Sequence, residues 1–87
     1  MKDSMIRTDI NLSKHMPIQR EMAMKITAVS DKFHATLTLE HKGIVLNLKS
    51  MIGLLSQSIP KDGNMTLVAD GVDEKAALDA VLAIINE

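Results

Sequence analysis

The 87-residue chain has no cysteine, no tryptophan and no tyrosine, and Phe33 is its single aromatic residue. Each absence removes a class of chemistry. Without cysteine there is no disulfide and no thiolate nucleophile, and a reducing compartment, the cytoplasm, is the expected location. His15, His34 and His41 stand far apart with no paired ligand spacing, so neither a metal site nor a cofactor is expected. One aromatic side chain offers no platform on which nucleobases stack. Lysine and arginine number 10 against 11 acids, a formal net charge of −1, so no whole-molecule field draws the chain to nucleic acid or to an anionic membrane. No apolar run is long enough to span a bilayer. The first residues carry Lys2 and Asp3 where a secretory leader needs an apolar core, so no leader is expected. The four glycines form no phosphate-cradling loop, and no nucleophile, base and orienting group stand in a recognisable set, so the chain does not read as an enzyme.

What is present is globular composition, 46% hydrophobic and 24% charged, enough for one domain spanning 1–87 with a modest core. Residues 1–5 read as a short N-terminal extension, with Met5 an alternative start. Ile6, Ile10 and Leu12 share one alternating face with Thr8 between, which predicts a strand over 6–12. Ser13, His15 and Pro17 give 13–18 the composition of a loop. From Arg20 to about Lys32, Met22, Ile26, Val29 and Phe33 recur at helical spacing, with Glu21 in the first turn where the helix dipole favours an acid. Leu37 and Leu39, a Lys42-Gly43 turn, then Ile44, Leu46 and Leu48 predict a β-hairpin. Ser50 is placed to N-cap a short helix in which Leu54 is the inward residue. Pro60 and Lys61-Asp62-Gly63-Asn64 break the chain, and Met65, Leu67 and Ala69 mark a fourth strand. Asp73 is expected to cap a last helix buried through Leu78, Val81, Leu82 and Ile85. The order β-α-β-β-α-β-α predicts an α+β open-faced sandwich, a four-stranded, mostly antiparallel sheet with helices on one face. Such a sheet serves RNA binding only when its strands carry aromatics, and these do not.

Several stretches carry a resemblance. The segment "LNLKSMIGLLS", residues 46–56, closely resembles the surroundings of the regulatory serine of HPr, the histidine-containing phosphocarrier family of the bacterial sugar phosphotransferase system. "LEHKGIVLNLKS" is similar to that family's central hairpin, and "ADGVDEKAAL", residues 69–78, to its last strand and helix start. The family pattern lies over about residues 6–86 without a gap. The resemblance implies the HPr-like form of the sandwich. It also implies a histidine opening the first helix, in a His-Ala-Arg-Pro motif, that takes a phosphoryl group from enzyme I and passes it to permease components.

Counted back from Ser50 without a gap, the resemblance places Gln19 at that histidine and Arg20, Glu21 and Met22 at the Ala, Arg and Pro. An amide does not accept phosphorus, because its nitrogen lone pair is delocalised into the carbonyl. Glu21 puts negative charge where the family keeps a phosphate-binding cation, and Arg20 points about 100° around the helix from it. His15 fits the family position only if four extra residues are absorbed between it and Ser50. The Crh subset of the family, regulatory proteins of carbon catabolite control that are phosphorylated on the serine, shares glutamine here but keeps Arg and Pro where this chain has Glu21 and Met22.

The resemblance makes Ser50 a target of HPr kinase/phosphorylase, with a phosphate beside Lys49; a plain helix cap accounts for the serine equally well. Met51, Ile52 and Leu55 correspond to an apolar docking patch, although a short helix must also bury something. The expected function is therefore a non-enzymatic regulatory or binding protein of the phosphotransferase system or of carbon catabolite control. Gln19, Arg20, Glu21, Lys49, Met51, Ile52 and Leu55 would meet its protein partner, which is the kinase, a transcriptional regulator or a phosphotransferase component. A phosphoryl carrier acting through His15, and a divergent scaffold for an unrelated partner, are the alternatives. Exchange of the first strand between copies, hinged at 13–18, stays open as well.

Overall fold

The computed structural model describes residues 5–16, 18–56 and 62–87, with the backbone alone for Met51, Ile52 and Ser56. Pro17, the Pro60-Lys61 break and residues 1–4 of the extension lie outside the described residues.

Four strands form one sheet in the order β1-β4-β2-β3, where β1 is Ile6–Asn11, β2 Thr36–His41, β3 Ile44–Asn47 and β4 Asn64–Asp70. Every pairing is antiparallel, and β4 lies between β1 and β2, with Leu67 opposite both Thr8 and Leu39. Alternation decides the faces, since successive side chains of a strand point to opposite sides. Ile10, Leu37, Leu39, Leu46, Met65, Leu67 and Ala69 point inward and are buried. Arg7, Asp9, Thr38, Thr66 and Asn47 form a polar outer face, across which Arg7 pairs with Glu40 at 2.9 Å. Val68, although on that outer face, is only 4% exposed, because the central strand is flanked on both sides. In the β2–β3 turn, Lys42 and Gly43 have φ of 46° and 86°, the positive values that a type I′ hairpin turn requires at both central positions.

Three helices cover the inner face: α1 (Arg20–Ser30), α2 (Met51–Ser56) and α3 (Glu74–Ile85). The predicted α1 stripe is rotated by about one residue. Ala23, Ile26 and Ser30 are buried, while Met22, Val29 and Phe33 pack half-buried against the flanks. Small Ala23 and Ser30 sit where the helix is fully buried, and the larger side chains fill the sides. The helix ends at Ser30 rather than near Lys32, because Lys32 and Phe33 donate to the carbonyls three residues back, of Val29 and Ser30, and so tighten the last turn. In α3, Ala77, Leu78, Val81, Ile84 and Ile85 are buried, and Leu82 is half-buried.

Asp73 stands at the N-cap of α3, but its side chain does not cap that helix. Its carboxylate instead accepts from the backbone N–H groups of His34 and Ala35, each at 2.8 Å, and so ties the start of α3 to the entry of β2. These bonds, led by the one from His34, hold the Asp73 carboxyl below its ordinary range. Gly71 allows the two segments to meet: a Cβ on it would lie 2.6 Å from Ala35 Cα. The Gly71 N–H donates to Glu74 Oε1 at 3.0 Å.

Candidate functional site

The segment between β1 and α1 is a built structure. Leu12 N–H donates to Gly63 O at 2.8 Å, and Asn11 Nδ2 donates to Asp62 O and to Asn64 Oδ1, each at 2.7 Å. Asn11 Oδ1 accepts from the Ser13 backbone N–H at 2.9 Å and from the Ser13 hydroxyl. Locked in this way, the chain turns through a 3-10 helix, Ser13–His15, where the sequence composition suggested plain loop. The turn brings the half-buried His15 ring to the far end of α3, and Nε2 lies 2.7 Å from Ile85 O. A carbonyl only accepts, so Nε2 carries the proton, and the lone pair of the neutral ring is on Nδ1. Lys25 of α1 reaches the same end of the molecule, 2.9 Å from Glu87.

Four residues beyond His15, Gln19 occupies the N-cap of α1 with extended backbone (φ −105°, ψ 173°) and no side-chain capping bond. Its carbonyl accepts from Ala23 N–H at 3.0 Å, which fixes the first turn at Arg20-Glu21-Met22. The N–H groups of that turn precede the intrahelical ladder, as at any helix start. Gln19, Arg20 and Glu21 are all exposed. The corner thus presents an amide, a cation and an anion on consecutive residues.

At α2, Ser50 Oγ accepts from Gly53 N–H at 3.2 Å and Ser50 O from Leu54 N–H at 3.2 Å, an N-cap on a six-residue helix. Leu54 is buried at 2% exposure and Leu55 is open at 43%, so the two neighbours divide packing and surface between them. The side chains of Met51 and Ile52, predicted for the same patch, lie outside the described residues. Lys49 is half-buried and already engaged: Nζ donates to Phe33 O at 2.8 Å, and its backbone N–H to Asn47 Oδ1 at 2.9 Å.

Helices α1 and α2 pack against each other, so Gln19, Arg20 and Glu21 sit on one helix and Leu55 on its neighbour. Met24, 52% exposed on α1, adds an apolar side chain to the exposed part of that helix. The sequence pattern does carry this signal, since Met24 is one turn from Arg20 and out of phase with the buried stripe, but sequence reasoning did not single it out. A groove of about 510 Å³ runs along the hairpin end of the sheet, lined in part by Asp9, Glu40, Lys42, Val45, Asn64 and Thr66, and takes in none of the predicted site residues. Among the described residues, no three His, Asp or Glu side chains converge as metal ligands, and no helix is long and apolar enough to cross a membrane.

A family model for the PTS HPr component phosphorylation site matches residues 7–87. The chain belongs to the HPr family. HPr of Bacillus anthracis superposes with a TM-score of 0.80 at 27% identity, covering 93% of this chain and 96% of that one. HPr-C-His of Thermoanaerobacter tengcongensis, at 22% identity and TM-score 0.82 over 93% and 91% of the two chains, shares the fold. The Bacillus subtilis catabolite repression protein Crh, whose structure is an intertwined, domain-swapped dimer, matches at 30% identity and TM-score 0.72 over 79% of each chain. Members of the HPr family are phosphocarriers and not enzymes, and this chain is a non-enzymatic protein with the open-faced α+β sandwich of that family.

Proposed function

We propose that this HPr-family chain works as a cytoplasmic regulatory or binding protein of the phosphotransferase system or of carbon catabolite control, without a phosphocarrier histidine. The observation that carries the reading is the placement of Gln19. It is the N-cap of α1, exposed and uncapped, where a phosphoryl acceptor at a helix entrance has to stand. The carboxylate of Glu21 in the first turn of α1 repels a phosphate from that corner. The imidazole of His15 lies upstream in a separate turn, spanned by Ser13–His15.

On this reading the switch is Ser50. Its oxygen bonds to the γ-phosphorus of a nucleoside triphosphate, the bond from that phosphorus to the bridging oxygen breaks, the nucleoside diphosphate leaves and the hydroxyl proton goes to base. The product adds close to two negative charges at the cap of α2, the helix that carries Leu55 and packs against α1. A kinase of the HPr kinase/phosphorylase type, a transcriptional regulator or a phosphotransferase component would dock on Gln19, Arg20, Glu21, Met24, Lys49 and Leu55, together with Met51 and Ile52 as the family resemblance implies. Incubation with HPr kinase and ATP followed by mass spectrometry tests the switch: an acid-stable phosphate on Ser50, absent from Ser50→Ala, is the expected result, and an unmodified chain refutes it.

One observation favours a second reading. With Nε2 donating to Ile85 O, the neutral His15 ring keeps its lone pair on Nδ1, the state a nucleophilic imidazole requires. The chain would then carry phosphate on His15.

A further inference from the structure

The loop between α1 and β2 is held from two sides. From one side, Lys49 Nζ donates to the Phe33 carbonyl at 2.8 Å. From the other, the Asp73 carboxylate receives the N–H groups of His34 and Ala35, each at 2.8 Å. Three consecutive residues therefore give their polar backbone groups to two side chains that come from distant parts of the chain. One of those side chains belongs to the residue directly before Ser50.

The two acceptors open to Lys49 differ in strength. A peptide carbonyl is neutral. A phosphoserine carries about 1.5 to 2 negative charges at neutral pH, and hydrogen bonds to an ionised partner are roughly twice as strong as neutral ones. A lysine ammonium is a point charge on a flexible stem with no fixed fork to match, so turning from one acceptor to another demands no special geometry. The Lys49 backbone stays in place meanwhile, anchored on Asn47 Oδ1 at 2.9 Å.

We infer that a phosphate on Ser50 draws Lys49 Nζ off the Phe33 carbonyl, so that modification at α2 releases one of the side-chain anchors of the loop at 33–35. The inference rests on the reading of Ser50 given above and adds its consequence. In the unmodified protein Lys49 holds the loop through the Phe33 carbonyl; in the phosphorylated protein Asp73 is the remaining side-chain hydrogen-bond anchor of 33–35, beside the Phe33 N–H bond to Ser30 O and the buried Ala35, and the entry of β2 loosens. The signal thus reaches the far end of α1 and the start of α3 as well as the docking patch.

The test installs phosphoserine at position 50 of the full chain by genetic encoding, which takes any kinase out of the experiment, and reads amide hydrogen exchange at His34 and Ala35. Exchange at both is expected to rise several-fold with the phosphate. A chain carrying Lys49→Met, which keeps the apolar stem, is expected to exchange at the faster rate already and to ignore the phosphate. Unchanged exchange in the phosphorylated wild-type sequence overturns the inference, and so does a Lys49→Met chain that responds as the wild type does. A kinase that passes over Ser50 counts against the proposed switch, whereas this experiment counts only for or against the Lys49 relay.

Discussion

Replacing His15 by phenylalanine keeps an aromatic ring in the half-buried site and removes the donor. Ile85 O belongs to the last turn of α3, where carbonyls lack intrahelical partners. Asn86 and Glu87 donate to the carbonyls of Leu82 and Ile84, and His15 Nε2 supplies the bond to Ile85 O. A net hydrogen bond contributes about 1 kcal/mol, and an acceptor left partly desolvated costs about 1–3 kcal/mol more when fully buried. The site is half-exposed, so water recovers part of the second term and the expected loss is about 1–2 kcal/mol. For a chain of this size each kcal/mol moves the melting temperature by roughly 4–8 °C. His15→Gln, which restores an N–H donor, should lose less than half as much. Urea and thermal unfolding give the energies, and long-range proton–nitrogen correlation of the labelled ring gives the tautomer directly. A His15→Phe protein as stable as the wild type, or a neutral ring protonated on Nδ1, would refute the assignment of His15 as the tether of the α3 terminus.

Other outcomes follow from single contacts. The Asp73 carboxyl is held below its ordinary value near 3.8, so its contribution to stability is fully present above that pH and is lost as the pH falls through the lower folded-state value; Asp73→Asn should flatten that part of an acid-unfolding curve, and an unchanged acid limb would count against the latch. Ser30 is fully buried on α1 and its hydroxyl has no hydrogen-bond partner among the described residues; Ser30→Ala should be neutral or stabilising by up to about 1 kcal/mol in chemical denaturation, and a clear loss would reveal a partner. Leu54→Ala should cost about 2–5 kcal/mol, whereas Leu55→Ala should change stability by no more than about 0.5 kcal/mol and act instead on kinase binding measured by calorimetry.

The elements that carried a strong period were legible in the sequence. The hairpin is one case: Leu37, Leu39, Leu46 and Leu48 alternate around a Lys-Gly turn, and all four are buried. The Ser50 cap is another, since a serine ahead of an apolar run has one geometry that satisfies a free N–H, and Gly53 N–H takes it. What was not legible depends on the third dimension. Asp73 occupies the N-cap position that its residue type suggests, but the N–H groups of His34 and Ala35, 39 and 38 residues away, compete for its carboxylate and win. The α1 stripe shifted because large residues set the expected phase, while closeness to the sheet selected Ala23 and Ser30. The 3-10 turn at Ser13–His15 depends on Asn11 finding Asp62 and Asn64, and the engagement of Lys49 on Phe33 O joins two segments that share no local pattern. The inward place of Leu54 was legible in the sequence, whereas the proposed docking role of Leu55 rests on the family resemblance, because a six-residue helix has too few turns for periodicity to say what an exposed residue meets.

The central claim is that the side chain offered at the entrance of α1 is an amide, so the chain does not relay phosphate. Incubating the purified protein with enzyme I and phosphoenolpyruvate, then locating phosphate by mass spectrometry under alkaline conditions that preserve phosphohistidine, tests it most directly. The account predicts an unmodified chain beside a fully phosphorylated HPr control. An acid-labile phosphate on His15 would contradict it.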